Sequence, residues 1–190
     1  MSKTDKFKIP KEVSHVTGEI ENAGFEAYIV GGCVRDLLIG KPPKDWDVTT
    51  NAKPEEIEKL FENTYYNNDY GTVGVVNDSV EDETLKVVEV TPYRLESGYS
   101  DSRRPDSVEF SDSIEHDLKR RDFTINAIAY SEDKGQIIAL YEGQKDIEKG
   151  IVRAVGDPDV RFSEDALRIL RAIRISAELG FEIEEKTKKE

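Results

Sequence analysis

Two carboxylates one residue apart carry the first chemical signal in this chain: Asp45 and Asp47, in the segment Asp45-Trp46-Asp47-Val48-Thr49-Thr50. Residues i and i+2 of a strand point to the same face. The pair would therefore stand side by side, with Trp46 and Val48 packed on the other face. Adjacent carboxylates repel unless a cation lies between them. Hard oxygen ligands of this kind suit Mg2+, which completes its shell with water and substrate phosphates. Upstream lies Gly31-Gly32-Cys33-Val34-Arg35-Asp36. A strand that runs through Gly-Gly into a helix offers backbone N–H groups and a helix N-terminus to a phosphate. Arg35, one turn in, can reach a phosphate oxygen. Taken singly, Asp-x-Asp describes a solvated strand face and Gly-Gly a common turn. In one strand–turn–helix–strand unit they point to a metal-dependent nucleotide site.

Two further clusters carry charge. Lys119-Arg120-Arg121 precedes Asp122-Phe123-Thr124-Ile125-Asn126-Ala127. Three consecutive cations on an acidic chain form a local anion site, or else a solvated helix face. The third cluster is Arg161-Phe162-Ser163-Glu164-Asp165-Ala166-Leu167-Arg168, followed by Arg171 and Arg174. Arg168, Arg171 and Arg174 recur every three residues and share a broad helix side. Leu167, Leu170, Ile173 and Leu179 supply a candidate packed side. Glu164 and Asp165 fall in the first turn, where acids favour the helix dipole without any other role. Capping and surface ion pairs account for this cluster equally well when it is taken alone.

Several elements must position these groups. Val13, Val16 and Ile20 recur at helical spacing over residues 11–23, and Gly24 follows as a stop. Ala27–Val30 reads as a buried strand, Val34–Ile39 as a short helix and Asp45–Thr50 as a second strand. Lys53–Phe61 reads as a helix with Pro54 in its first turn. Residues 71–77 and 85–93 are β-rich runs across an acidic link, which predicts a hairpin. Residues 96–106 lack periodicity and carry Gly, Ser and Pro, which predicts a mobile loop. Val108–Phe110 reads as a strand, residues 114–130 as two helical pieces, and 136–141 and 151–155 as short strands. Ser163 is a candidate N-cap for a helix running to Leu179 and closed by Gly180. The charged tail 181–190 starts another helical pattern, as in a fragment of a longer protein or a truncated helical part. Strands before residue 155 and helix after it predict an α+β head with an α-helical extension.

The chain has 190 residues, 37% hydrophobic and 35% charged. That length fits one domain, or one domain and part of another. Forty acidic and 27 basic side chains give a net charge of -13, which argues against binding nucleic acid or anionic membrane by bulk charge. Any anionic ligand needs the local basic clusters or metal ions. A single cysteine, Cys33, excludes an intramolecular disulfide and a Cys-rich zinc site. The N-terminal residues lack the apolar core of a secretory signal. No apolar run approaches the ~20 residues of a membrane span. A soluble cytoplasmic protein, without membrane contact, is the expectation.

The three clusters together resemble the head of class II tRNA nucleotidyltransferases (CCA-adding enzymes) and the related bacterial poly(A) polymerases, of the polymerase-β-type nucleotidyltransferase superfamily. The matching segments are GGCVRDLLIGKPPKDWDVTT at 31–50, RRDFTINAIAY at 120–130 and RAVGDPDVRFSEDALRILRAIRISAELGFEIE at 153–184. Their order and spacing agree with that family from about residue 25 to 185. The resemblance implies a mixed β-sheet flanked by helices. Its parts would be an N-terminal segment and helix (1–24), a catalytic head (25–155) and the start of a helical neck (156–190).

By that resemblance, Asp45 and Asp47 hold Mg2+ for in-line attack of an RNA 3′-hydroxyl on the α-phosphate of CTP or ATP. Glu89 is the candidate third carboxylate. Gly32 and Arg35 contact the nucleotide, with Gly31 shaping the turn. Arg121 binds phosphate, and Asp122 fixes the ribose or the loop. Asp165 and Arg168 imitate a base-pairing edge, and Arg171 and Arg174 face the triphosphate. The loop at Ser100–Asp106 resembles one that helps the switch from CTP to ATP. Alanine in Glu164-Asp165-Ala166-Leu167-Arg168 favours tRNA nucleotidyltransferases over poly(A) polymerases. The implied activity is CCA addition to the tRNA 3′ end. Its alternatives are poly(A) polymerisation and a nucleotide-binding module with weak or no turnover.

Overall fold

The computed structural model describes residues 7–66, 70–100, 103 and 105–189. In chain order the elements are α1 (Lys11–Asn22), β1 (Ala27–Val30), α2 (Gly32–Ile39), β2 (Trp46–Thr50), α3 (Pro54–Leu60), β3 (Thr64–Tyr66) and β4 (Val73–Val76). A 3-10 turn at Glu83–Leu85 leads to β5 (Val87–Pro92), β6 (Arg94–Ser97), β7 (Ser107–Phe110) and α4 (Ile114–Lys119). A second 3-10 turn, Thr124–Asn126, precedes β8 (Ile128–Ser131), β9 (Gln136–Ala139), α5 (Gly143–Lys149) and β10 (Ile151–Val152). The chain continues through α6 (Pro158–Glu164), α7 (Leu167–Leu179), β11 (Glu182–Ile183) and α8 (Glu185–Lys188).

Seven strands form one mixed sheet in the order β3-β4-β5-β2-β1-β8-β9. Strands β2 and β5 run parallel, and the other neighbours are antiparallel. This is the α+β architecture expected from the sequence. Trp46 and Val48 of β2 pack with Val88 and Val90 of β5 and with Val13, Val16 and Ile20 of α1. Alternation then sends Asp47 and Glu89 to the opposite face. On that face Tyr28, Val30, Tyr93, Leu118 and Ala129 form a second cluster. A third cluster joins Phe123 and Ile125 to Val152, Phe162, Ala172 and Ile175. It seats α7 against the turn that follows the double arginine.

Four sequence expectations change. Residues 128–131 form strand β8, not helix. All four are buried between β1 and β9, and burial on both faces erases the alternation that marks a strand. Glu96 and Ser97 belong to β6 and pair with Val108 and Ser107 of β7, so the loop between these strands begins at Gly98. Its residues 101, 102 and 104 lie outside the described residues.

Ser163 lies inside α6 and does not cap the following helix. Asp157 caps α6 by accepting from the Asp159 N–H at 3.3 Å, with Pro158 in the first turn. The helical path breaks at Asp165, whose backbone is extended at φ −142° and ψ 103°. Finally, α7 packs on Arg168, Ala172 and Ile175, while Leu167, Leu170 and Ile173 face outward. Of the expected packed side, Leu179 alone joins the core. Arg168 turns inward beside Ala172 and Ile175, with its hydrogen bonds met by buried partners, while Arg171 and Arg174 stay exposed. No helix among the described residues is long and apolar enough to cross a membrane.

Candidate active site

Strand β1 delivers the chain to Gly31, whose φ of +86° and ψ of −135° lie in a region that L side chains rarely adopt. A Cβ there would stand 3.0 Å from Arg121 Nη1 and 3.6 Å from Asp47 Oδ2. Glycine is thus required twice, by conformation and by space. Arg35, one turn into α2, donates from Nε and Nη2 to Asp36 Oδ1 at 2.9 and 2.8 Å, and from Nη1 to Asn126 Oδ1 at 2.8 Å. Two carboxylates flank this turn. Asp45 is exposed just before β2, and Asp47 is half-buried within it. Glu89 is the register partner of Asp47 on the parallel strand β5. Burial pushes the Asp47 carboxyl up to about 7. Arg121 opposes that shift, while Asp45, Glu89 and Asp117 add to it. Burial is thus the larger cause, and the repulsion of crowded acids is the smaller one.

The double arginine does not sit on a solvated face. Arg120 and Arg121 both close on Asp117, which is fully buried. The next residue, Asp122, is also buried. Its Oδ1 accepts from the Phe123 N–H at 2.7 Å and from Asn126 Nδ2 at 3.1 Å. Its Oδ2 accepts from Arg171 Nε at 2.8 Å and Nη2 at 2.6 Å. A continuous polar chain therefore runs Arg35–Asn126–Asp122–Arg171, from the Gly-Gly turn to α7.

At the break between α6 and α7, Asp165 Oδ1 accepts from the Leu167 N–H at 2.9 Å. A side chain that satisfies a nearby backbone N–H competes with helix continuation, and here it holds the break. Arg168 is buried. It donates from Nη1 to Glu164 Oε2 at 2.8 Å and to the Arg161 carbonyl at 3.0 Å, and from Nη2 to the Arg120 carbonyl at 3.2 Å. Its guanidinium plane is thereby fixed relative to Asp165.

These residues line two adjoining clefts. The first, of about 410 Å³, is lined by Gly32, Arg35, Asp45, Asp47, Arg171 and Arg174, with Lys41 and Lys44 from the loop after α2. The second, of about 370 Å³, is lined by Arg121, Asp165 and Arg168, with Glu96, Tyr99 and Arg103 from the β6–β7 hairpin. Asn126 and Arg171 belong to both. One cleft is cationic with an acid pair at one side; the other is walled by an Asp–Arg couple. Among the described residues, no group of three or more His, Cys, Asp or Glu forms a preformed metal cage. Two carboxylates beside arginine and lysine side chains fit the donor set of Mg2+, which is usually held by one or two carboxylates plus substrate phosphates.

The poly A polymerase head domain matches residues 27–153. The chain belongs to the poly A polymerase head-domain family. The CCA-adding enzyme of Leuconostoc mesenteroides subsp. mesenteroides is 51% identical over 172 residues, covering 90% of this chain and 41% of that protein. Among solved structures, the Bacillus stearothermophilus CCA-adding enzyme in complex with CTP superposes with a TM-score of 0.85 at 40% identity, covering 96% of this chain and 43% of that one. A tRNA nucleotidyltransferase complexed with a primer tRNA and an incoming ATP analog gives a TM-score of 0.71 at 33% identity, covering 92% and 48%. The chain spans about two fifths of the length of the curated relatives it matches.

The twelve residues singled out in the sequence come together in one region, which joins the head-domain segment to α6 and α7. Glu89 sits beside Asp47 in register, Gly31 precedes Gly32 at the start of α2, and the other ten line the two clefts. Reading the sequence missed Asn126 as the hinge of the polar chain, Lys41 and Lys44 as cleft cations, and Asp117 as the partner of both arginines. Asn126 lies four residues past Asp122, across a 3-10 turn, so only tertiary placement reveals it. Asp117 had a local signal, since it precedes the arginine pair by three and four residues.

Proposed function

We propose that this chain carries the catalytic head of an Mg2+-dependent tRNA nucleotidyltransferase. It would add CMP and AMP from CTP and ATP to the tRNA 3′ end without a nucleic-acid template. One observation supports this most strongly: an acid pair and an Asp–Arg couple occupy adjoining clefts that share Asn126 and Arg171. The relatives solved with CTP, and with a primer tRNA and an ATP analog, support the same reading. The units proposed are a catalytic head over 25–155 and the start of a helical neck over 156–190. A cytoplasmic location goes with them, and the buried free thiol of Cys33 suits a reducing compartment.

Asp45 and Asp47, with Glu89 alongside, would hold the metal. Bound Mg2+ supplies charge stabilisation for the attacking 3′-oxygen and the leaving pyrophosphate. The chain's own residues do the positioning. Gly31 and Gly32 let the triphosphate approach the backbone at the start of α2. Arg35, Arg171 and Arg174 neutralise phosphate charge, and Arg121 stands between the acids and the second cleft. In that cleft Asp165 accepts from the exocyclic amine of cytosine or adenine, while Arg168 donates to a ring nitrogen or carbonyl. Uracil and guanine lack the amine at that position. Each unpaired buried group then costs about 1–3 kcal/mol.

The test is single-nucleotide incorporation on a tRNA ending before CCA, with CTP or ATP supplied alone. Incorporation of C is the expected result, and it separates CCA addition from poly(A) polymerisation. Incorporation of A alone, whatever the primer, would favour the polymerase. No incorporation by the chain or by the full-length protein would contradict both.

A further inference from the structure

Asp117 is the buried acid that the chemistry above leaves without a task. It is 0% exposed and does not line either cleft, yet both arginines it touches line the second one. Each of its oxygens serves one guanidinium. Oδ1 accepts from Arg120 Nε and Nη2 at 3.0 and 2.6 Å. Oδ2 accepts from Arg121 Nε and Nη2 at 3.2 and 2.8 Å.

The edge used is the same in both cases. Each guanidinium is clamped along its Nε–Nη2 side, which leaves Nη1 pointing away from Asp117. For Arg121, Nη1 lies 3.0 Å from the position a Gly31 Cβ would take, on the side of Asp47. For Arg120, Nη1 lies 3.3 Å from Glu96 Oε1. Glu96 in turn accepts from Arg94 Nε and from the Tyr99 hydroxyl, both at 2.8 Å. Arg120 is thus tied down at both ends. Arg121 is tied at one end, with its free end on the Gly31–Asp47 side.

Two N–H groups of one guanidinium converging on one oxygen hold it by an edge and so set its direction, which a point charge such as an ammonium does not. We infer that Asp117 is a positioning residue for nucleotidyl transfer, holding Arg121 against the Gly31–Asp47 end of the cleft with Arg120 as the counter-anchor. The inference rests on the function proposed above. Asp117 acts through Arg121 and touches no reacting group. Rigid aim matters because a charge that is already oriented loses nothing to reorganisation when the phosphate arrives.

The experiment is a double-mutant cycle on Mg2+–CTP binding by this chain, followed calorimetrically. It uses Asp117→Asn, Arg121→Met and the double variant, each checked for a cooperative thermal transition. Wild-type binding is the control. Its failure would overturn the proposed function itself, independently of any variant. Given wild-type binding, D117N should weaken CTP about tenfold, R121M by at least as much, and the double variant no further than R121M.

A purely structural Asp117 would instead lower the melting temperature in both backgrounds and leave the affinity of folded protein unchanged. That outcome, or additive losses in the double variant, would overturn the inference. If D117N does not fold, Asp117→Glu replaces it in the same cycle. Glutamate keeps the charge but moves Arg121 by a methylene, so the CTP affinity should still fall, and an affinity equal to wild type would overturn the inference.

Discussion

Arg171 of α7 places both Nε and Nη2 on a single oxygen of Asp122, at 2.8 and 2.6 Å. This pair ties the helix carrying the candidate base-reading arginine to the turn that carries Asn126. The Arg171 side chain is 47% exposed, so water screens the bond and its contribution to stability is about 1 kcal/mol. Asp122→Asn should lower the urea midpoint slightly. It should raise the KM for CTP and ATP more visibly, because Arg171 loses its fixed place between the clefts. Steady-state incorporation kinetics beside a denaturation curve separate the two effects.

Asp45→Ala and Asp47→Ala should each reduce incorporation at least about a hundredfold, the scale expected when a metal ligand is lost. The fold should survive both. Burial, with the neighbouring acids adding to it, makes ionised Asp47 costly in the metal-free protein, so D47A should melt at or above the wild-type temperature at pH 8 in chelator. Unchanged activity in either variant would remove the metal assignment.

The sequence made the first cleft more legible than the second. Asp45, Asp47, Gly31, Gly32 and Arg35 lie within one strand–turn–helix–strand unit, where local periodicity sets direction. Glu89 needed only the parallel register of β2 with β5. Arg120, Arg121 and Arg168 were recognisable by type but not by environment. A basic triplet reads as a solvated face until Asp117, three and four residues before the two arginines, is seen to be buried. The outward turn of Leu167, Leu170 and Ile173 was illegible for a related reason. Helix periodicity shows which residues share a face, while the packing of Ala172 and Ile175 on Phe123, Val152 and Phe162, with Arg168 hydrogen-bonded beside them, sets which face turns inward.

Gly31→Ala should fail on two counts. Its φ of +86° strains any side chain, and the new Cβ would meet Arg121 Nη1 at 3.0 Å. A loss of about 1–3 kcal/mol is expected, seen as a lower melting temperature. CTP affinity should weaken as well, since the displaced group is Arg121. Gly156→Ala is a useful comparison. That glycine also has a positive φ, of +77°, but nothing lies within 4 Å of the Cβ position. It should lose stability without the loss of affinity.

Acid stability should depend on Asp117. Burial alone would raise its carboxyl, but Arg120 and Arg121 outweigh burial and hold it at about 2, well below the ordinary aspartate value. A depressed folded-state value stabilises the fold above pH ~4, and that contribution is lost as the pH falls towards 2. Glu96, held low by Arg120 and Arg94 against its own burial, acts in the same direction. Circular dichroism at pH 5, 4, 3 and 2 should show wild-type stability dropping across that window. Asp117→Asn should start lower and show a shallower drop.

The central claim is that one nucleotide spans both clefts, and crystals of this chain soaked with CTP and MgCl2 test it most directly. The triphosphate should lie among Asp45, Asp47, Arg35, Arg171 and Arg174, with the cytosine amine within hydrogen-bonding distance of Asp165 and its ring edge facing Arg168. A nucleotide bound away from those side chains, or seated with its base outside the second cleft, would contradict the account.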